Sequence, residues 1–190
     1  FSATSNSASF LEREEVVAYF DELSQSHGFS KKHLEKLFSN HKSNSKILEL
    51  MSRPTEKRLE WHEYRKILVD EPRVNLGLRF WEDNLQALED AERVFGVAPE
   101  VIVAIIGVET RYGKIMGSFL VVQALATLAF DFPSRADFFR KELTNYLILT
   151  RSQNIDPLSL RGSYAGAMGY GQFMPSSYQA YAVDFDGDGI

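Results

Sequence analysis

The segment VIVAIIGV, residues 101–108, runs directly into Glu109 and then into TRYG, residues 110–113. Eight consecutive small or apolar residues predict a buried element, and Glu109 closes it. Loss of water disfavours the charged form of a carboxyl, so we expect the pKa of Glu109 to be raised. A raised pKa is what a general acid needs at neutral pH. The alternative is a glutamate that merely ends a core element and pairs with a nearby arginine.

The surrounding sequence favours a helix for this segment. Pro99 suits the first helical position and Glu100 the first turn, so we expect a buried helix over residues 99–109. The β-branched residues leave a strand as the alternative. The preceding residues 76–95 have helical periodicity, and Gly96 follows them at the position where a left-handed residue ends a helix. We expect the inward face of this helix to carry Leu78, Trp81, Leu85, Leu88 and Phe95.

The other apolar segments are also helical in pattern. Ser9 with Glu12 forms a capping-box signal, and Ser30 and Asn44 are candidate caps of two further helices. Helices are also expected at residues 120–130, 134–152 and 175–182. The fold class is therefore mainly α. We divide the chain into a disordered leader (1–8), an N-terminal helical region (9–77) and a core (78–190).

Composition excludes several classes of function. A 190-residue chain with 44% hydrophobic residues can bury a sizeable core. The net charge of −5 argues against a nucleic-acid partner. The absence of cysteine excludes disulfides, thiolate metal sites and a cysteine nucleophile. No GxSxG motif occurs, and no histidine lies in the C-terminal half of the chain, so a serine hydrolase is set aside. The four histidines all lie in the first 62 residues, and we expect them to be surface or capping residues: His27, His33, His41 and His62.

A glycine-rich segment, GSYAGAMGYGQFMP, occupies residues 162–175. Its glycines allow a close approach to a ligand, and its tyrosines offer flat amphipathic faces that suit sugar rings. It has neither a Walker motif nor a GxGxxG fingerprint after a strand, so it is not a phosphate loop. The alternative is an irregular connector.

The segment GVETRYG at 107–113, together with residues 162–177, resembles the lytic murein transglycosylase B family of the lysozyme-like group. ALATLAF at 124–130 and FPSRA at 132–136 extend the match. The resemblance covers residues 78–190 well and residues 9–77 loosely. It implies a lysozyme-like α core with an additional N-terminal helical region, truncated at its C-terminal end.

The resemblance also implies a reaction. Such enzymes cleave the β-1,4 bond between N-acetylmuramic acid and N-acetylglucosamine without water and leave a 1,6-anhydromuramic end. Glu109 would first protonate the glycosidic oxygen, while the substrate's 2-acetamido group stabilises the positive charge on the anomeric carbon. Glu109 would then accept the proton of the C6 hydroxyl as that oxygen attacks. This differs from the two-carboxylate pattern and requires no cofactor. The glycine-rich segment contains no second carboxylate, although Asp131 or Asp156 could approach Glu109 in space.

By the same resemblance, Ser163 would reach Glu109 or the acetamido group, and Met168, Tyr170 and Gln172 would line the sugar cleft. The alternative role of these four residues is loop packing. Arg135 matches a position near the peptide stem or the muramic carboxylate. The family often has two basic residues there, whereas Ser134 precedes Arg135 in this chain.

The last residues, DFDGDGI at 184–190, match the start of an EF-hand-like calcium loop. Asp184, Asp186 and Asp188 supply positions 1, 3 and 5, and the carbonyl of Ile190 supplies position 7. We expect a structural Ca²⁺ here, in a site whose position-12 acid lies beyond Ile190. The alternative is an acidic turn without metal.

The sequence thus predicts an enzyme, a peptidoglycan lytic transglycosylase whose partners are glycan strands. A hydrolytic muramidase, a calcium-stabilised glycan-binding module without activity and a purely helical scaffold are the alternatives. The resemblance suggests the periplasm of a Gram-negative bacterium, on the outer-membrane side, with any membrane attachment made by a lipid anchor that this chain does not contain.

Overall fold

The computed structural model describes residues 9–53, 59–185 and 187. The predicted leader and most of the calcium loop lie outside these residues. The helices are α1 (Glu14–His27), α2 (Lys31–Phe38), α3 (Ser45–Ser52), α4 (Trp61–Leu68), α5 (Glu71–Asp83), α6 (Leu85–Phe95), α7 (Pro99–Thr110), α8 (Val121–Asp131), α9 (Ala136–Ser152) and α10 (Pro175–Tyr181). Two short strands, β1 (Phe119–Leu120) and β2 (Arg161–Gly162), pair in antiparallel fashion. The mainly α prediction is therefore confirmed.

The predicted caps occur, with one change. The Ser30 hydroxyl accepts a hydrogen bond from the His33 amide at 3.4 Å. The Asn44 side chain accepts from the amides of Lys46 (3.0 Å) and Ile47 (3.4 Å). The Ser9 signal, in contrast, belongs to a short 3-10 helix, Phe10–Glu12, because α1 begins only at Glu14.

The core forms around α8 and α9, which pack against each other along their length. Apolar side chains of α1, α2 and α3 join this core. The largest fully buried side chains include Leu23, Leu34, Ile47, Leu125, Leu128, Phe139, Leu143, Tyr146 and Leu147. Burying leucine-, isoleucine- and phenylalanine-sized side chains is worth about 1.5–3 kcal/mol each, so this cluster supplies the main driving force for folding.

A second group of helices, α5, α6 and α7, carries the apolar segment that ends at Glu109. The single helix predicted over residues 76–95 is wrong, because α5 ends before Asn84 and α6 begins after it. The side-chain amide of Asn84 caps α5 by donating a hydrogen bond to the Phe80 carbonyl at 2.7 Å. As a result Leu88 is buried, whereas Leu78, Leu85 and Phe95 of the predicted inward face are exposed.

Residues 99–110 form a helix, α7, so the strand alternative is wrong. The expectation that this helix is buried is also wrong in part. Val103 and Gly107 are buried, but Val101, Ile105 and Val108 are each about half exposed. The helix is apolar all round, while α5 and α6 cover only one side of it.

Backbone pairing joins the glycine-rich segment to β1 and also connects residues within the segment. Phe119 of β1 pairs with Gly162 of β2, and Gly162 in turn bridges to Met168. Met168 then bridges to Phe173. The segment is thus a folded, hydrogen-bonded loop rather than an unstructured connector.

No helix in the part of the chain that the structure describes is both long and apolar enough to cross a bilayer.

Candidate active site

Glu109 lies in the last turn of α7 and its side chain is exposed. The predicted desolvation of this carboxyl is therefore wrong for this chain. Glu109 and the preceding Val108 are both exposed to solvent. The carboxyl is accessible to a ligand.

A tight turn follows Glu109 immediately. Arg111, Tyr112 and Gly113 have φ values of 49°, 60° and 78°, so three successive residues adopt the left-handed region. This conformation is costly for arginine and tyrosine, and it persists only where neighbouring contacts hold it. Such strain is common at functional sites, and here it directs the chain away from α7 just after Glu109.

Arg111 is held by an ion pair with Asp70. Asp70 is also the N-cap of α5, where its other carboxylate oxygen accepts a hydrogen bond from the Arg73 amide at 2.7 Å. One carboxylate therefore caps α5 and fixes the first left-handed residue after Glu109.

Tyr112 packs between α5 and α7, in space that is free because Gly77 and Gly107 have no side chains. Its hydroxyl lies against Gly77 of α5 and Gly107 of α7, so that a Cβ at either glycine would collide with it. Its ring packs on Phe80, with the centroids 5.4 Å apart. Burial raises the pKa of Tyr112. Sequence analysis missed Gly77, because a glycine inside a helix gives no signal of its contact.

Thr110 and Gly113 connect this turn to the glycine-rich segment. The Thr110 hydroxyl lies 3.0 Å from the Tyr170 carbonyl oxygen. Gly113 lies against the Tyr170 ring, where a Cβ would collide. The two segments that sequence analysis singled out are therefore in direct contact, and Tyr170 is the residue brought next to the Glu109 turn.

Ser163 uses its hydroxyl oxygen inside the loop. The oxygen accepts hydrogen bonds from the amides of Ala167 (3.0 Å) and Ala165 (3.3 Å). Because both bonds use Ser163 as an acceptor, its single hydroxyl proton is left for another partner.

Gln172 and Met168 hold the loop in place. The Gln172 side-chain amide donates to the carbonyls of Met116 at 3.2 Å and Gly169 at 3.1 Å. Gln172 itself has a φ of 50°, a second strained position in this region. Met168 is buried and exchanges backbone hydrogen bonds with Phe173 at 2.9 and 3.0 Å.

Arg135 lies in a 3-10 turn just before α9 and is exposed. Its guanidinium carbon lies 4.3 Å from the centroid of the Phe138 ring and 5.3 Å from that of Phe139. This cation–π stacking orients the arginine without neutralising it.

The two candidate second carboxylates have other partners. Asp131 forms an ion pair with Arg13 at 2.8 Å. Asp156 accepts a hydrogen bond from the Leu158 amide at 2.9 Å. Both partners lie outside α7.

Glu142 is a residue that sequence analysis missed. It is only 3% exposed and lies on α9 among the buried side chains. Its carboxylate accepts hydrogen bonds from the Ser176 amide (2.9 Å) and the Ser176 hydroxyl (2.6 Å). The available signal was its position three residues after Phe139 and four before Tyr146, which puts it on the same helical face as these two aromatic residues.

One histidine departs from the prediction that all four are surface or capping residues. His41 is partly buried, with its ring 4.3 Å from that of Phe10. Burial, more than any other cause, lowers the pKa of His41 to about 4.

The calcium loop is described only at its beginning. The Asp184 carboxylate accepts a hydrogen bond from the Gly187 amide at 2.8 Å, which is the first turn that a DxDxDG loop makes. Asp186, Asp188 and Ile190 lie outside the described residues. Within the described ranges no group of three or more His, Cys, Asp or Glu residues is arranged to hold a metal ion.

Known proteins resemble this chain closely. It is 43% identical over 189 residues to the membrane-bound lytic murein transglycosylase B of Escherichia coli, a match that covers 95% of this chain and 52% of that protein. The structure of the E. coli lytic transglycosylase Slt35 in complex with calcium superposes with a TM-score of 0.90 at 45% identity, covering 95% of this chain and 57% of that one. The structure of Pseudomonas aeruginosa SltB3 in complex with NAG-NAM-pentapeptide gives a TM-score of 0.82 at 30% identity, covering 93% and 47%.

These matches confirm the predicted lysozyme-like α fold, and the chain spans about half the length of the relatives it matches. The family described as the transglycosylase SLT domain matches residues 12–190. The chain therefore belongs to the transglycosylase SLT family.

Proposed function

We propose that this chain provides the acid/base glutamate and part of the glycan cleft of a peptidoglycan lytic transglycosylase. The observation that supports this most is the contact between the Glu109 turn and Tyr170 of the glycine-rich segment. It puts an accessible carboxyl beside a loop that carries exposed aromatic rings. The related proteins are named for this activity.

Glu109 would act twice. It donates its proton to the glycosidic oxygen as the bond to the anomeric carbon breaks, while the substrate's acetamido group stabilises the positive charge. The resulting carboxylate then accepts the proton of the C6 hydroxyl as that oxygen attacks the anomeric carbon. The proton balance closes without water or a second carboxylate.

The exposure of Glu109 fits this scheme if the glycan itself excludes water. A sugar ring that lies over the carboxyl displaces its hydration shell, and desolvation favours the protonated form.

The remaining site residues would orient the strand. Tyr170, half exposed, offers a ring on which a sugar can stack. Ser163 has a hydroxyl proton available for the acetamido oxygen. Gln172 and Met168 would shape the loop, and Arg135, held on Phe138, would bind the carboxylate of the muramic acid or its peptide stem.

Further parts of the proposal concern domains, calcium and location. Residues 9–77 would form a helical region appended to the catalytic core at 78–190.

A Ca²⁺ ion would be held by the side chains of Asp184, Asp186 and Asp188 and by the carbonyl of Ile190. Oxygen ligands of this kind favour a hard cation, whose role here would be structural. The protein would act in the periplasm on glycan strands, on the outer-membrane side and with no nucleic-acid partner, and any attachment to the membrane would be made by a lipid anchor.

The test is to incubate the chain and its Glu109→Gln variant with purified peptidoglycan, with and without calcium, and to identify the released muropeptides by mass. Glu100→Gln is the matched control, because Glu100 is an exposed carboxyl in the first turn of the same helix. Anhydro products that disappear only in Glu109→Gln support the proposal.

Other outcomes favour the alternatives. Hydrated reducing ends would indicate a muramidase. Binding of peptidoglycan without any product, unchanged in Glu109→Gln, would indicate a glycan-binding module. No binding at all would leave a helical scaffold.

A further inference from the structure

Thr110 follows Glu109 directly and is 1% exposed, although the two residues before it, Val108 and Glu109, are exposed. Its hydroxyl oxygen is the centre of three short contacts. It lies 3.2 Å from the Ile106 carbonyl, 3.0 Å from the Tyr170 carbonyl and 3.0 Å from the Gly113 amide.

The donor and acceptor capacity of a hydroxyl decides in which of these contacts the Thr110 oxygen accepts a hydrogen bond and in which it donates one. The Gly113 amide can only donate, so the Thr110 oxygen accepts from it. The single Thr110 proton then faces two carbonyls, one in its own helix and one in the glycine-rich segment. The bond to Ile106 alone would be local, whereas the bond to Tyr170 joins positions sixty residues apart.

We propose that Thr110 is a positioning residue that fixes the distance between Glu109 and the glycine-rich segment through its hydroxyl. This inference rests on the proposed function, since it assumes that Glu109 and Tyr170 act on the same glycan. The hydroxyl ties together the end of α7, the left-handed turn at Gly113 and the backbone of Tyr170. The side chain of Glu109 thereby starts from a defined point relative to the loop.

The chain contains a close structural comparison in Thr150. It is also fully buried and near the end of a helix, and its hydroxyl contacts the carbonyls of Tyr146 at 3.0 Å and Leu147 at 3.2 Å. Both carbonyls belong to α9, so Thr150 bonds within its own helix. Removing its hydroxyl therefore costs a buried hydrogen bond without moving Glu109.

The experiment compares Thr110→Val, Thr110→Ser and Thr150→Val. Valine keeps the shape of threonine and removes the hydroxyl, whereas serine keeps the hydroxyl. Three quantities are measured in the full chain: the exchange rate of the Gly113 amide by NMR, and kcat and KM for release of anhydro-muropeptides from purified peptidoglycan strands.

In Thr110→Val the Gly113 amide should exchange roughly 10-fold faster, because the acceptor of its hydrogen bond is gone. kcat should fall on the order of 100-fold, the effect of a displaced catalytic group, while KM changes little. Thr110→Ser should restore the Gly113 exchange rate and kcat, and Thr150→Val should alter neither of these. If valine prevents folding, Thr110→Ala compared with Thr110→Ser makes the same distinction.

Unchanged Gly113 exchange in Thr110→Val would overturn the inference, as would an equal loss of kcat in Thr150→Val. Failure of the proposed function is distinguishable, because the unmodified chain would then release no anhydro-muropeptides. The amide exchange would still decide whether Thr110 holds the turn.

Discussion

Glu142 of α9 accepts two hydrogen bonds from Ser176, one from its amide at 2.9 Å and one from its hydroxyl at 2.6 Å. Ser176 is the second residue of α10, so the buried carboxylate satisfies a donor that the helix itself leaves unpaired. α10 directly follows the glycine-rich segment. Glu142 thereby anchors the end of the candidate cleft to the core.

Replacing Glu142 by leucine should lower the free energy of unfolding by about 1–3 kcal/mol, because the Ser176 amide and hydroxyl lose their acceptor. Glu142→Gln, which keeps one oxygen, should lose less. Asp137→Asn is the control on the same helix, since this side chain is 91% exposed and should change stability by less than about 0.5 kcal/mol. Urea unfolding measures all three, and equal stabilities of the leucine and control variants would contradict the prediction.

Gly107→Ala should destabilise the chain, because a Cβ there collides with the Tyr112 hydroxyl. Overpacking of this kind typically costs about 1–3 kcal/mol. The loss should be smaller in a Tyr112→Leu background, since the hydroxyl oxygen and the ring carbon Cζ that the Cβ would meet are both absent there. A double-mutant cycle by chemical denaturation measures this coupling, and strictly additive effects would show that the two residues do not meet.

Asp70→Asn should separate the two roles of Asp70. Asparagine is as good an N-cap as aspartate, so α5 should keep its start. The ion pair with Arg111 is lost, and because both side chains are partly exposed we expect a cost of at most about 1 kcal/mol.

Salt provides the check on Asp70. The difference in unfolding free energy between Asp70→Asn and the unmodified chain should shrink as salt screens the pair. Glu71→Gln changes a neighbouring exposed carboxyl and serves as the control. A difference that does not respond to salt would mean that the pair contributes nothing.

His41 should make the chain lose stability in mild acid. Burial lowers the pKa of His41 from 6.5 to about 4, with the charge of Asp131 opposing this shift and that of Arg13 adding to it. The unfolded chain thus binds a proton more readily than the folded one. The stabilisation is complete above about pH 6.5 and is lost as the pH falls towards 4, by up to about 3 kcal/mol.

His41→Gln should flatten this part of the curve of unfolding free energy against pH. His33→Gln, at an exposed position, should leave the curve as it is. An unmodified chain whose stability is constant between pH 6.5 and 4 would show that His41 is accessible to protons in the folded state.

Local signals predicted most of the helices because they depend on neighbours in sequence. The cap at Asn44, the left-handed Gly96 and the apolar repeats of α8 and α9 all involve residues within a few positions of one another. The break at Asn84 gives no comparable signal, since the apolar periodicity continues across it and the asparagine amide ends α5 by bonding the Phe80 carbonyl.

The sequence by itself determined the fold class, the family and the two segments expected to carry the chemistry, because these depend on short motifs and their spacing. Only the tertiary structure decided the environment of those segments. Burial depends on what covers a residue from elsewhere in the chain, which is why Glu109 is exposed although it ends an apolar run, and why Glu142 is buried although it is charged. The contact between Thr110 and Tyr170 likewise arises from packing between positions sixty residues apart, which no local pattern encodes.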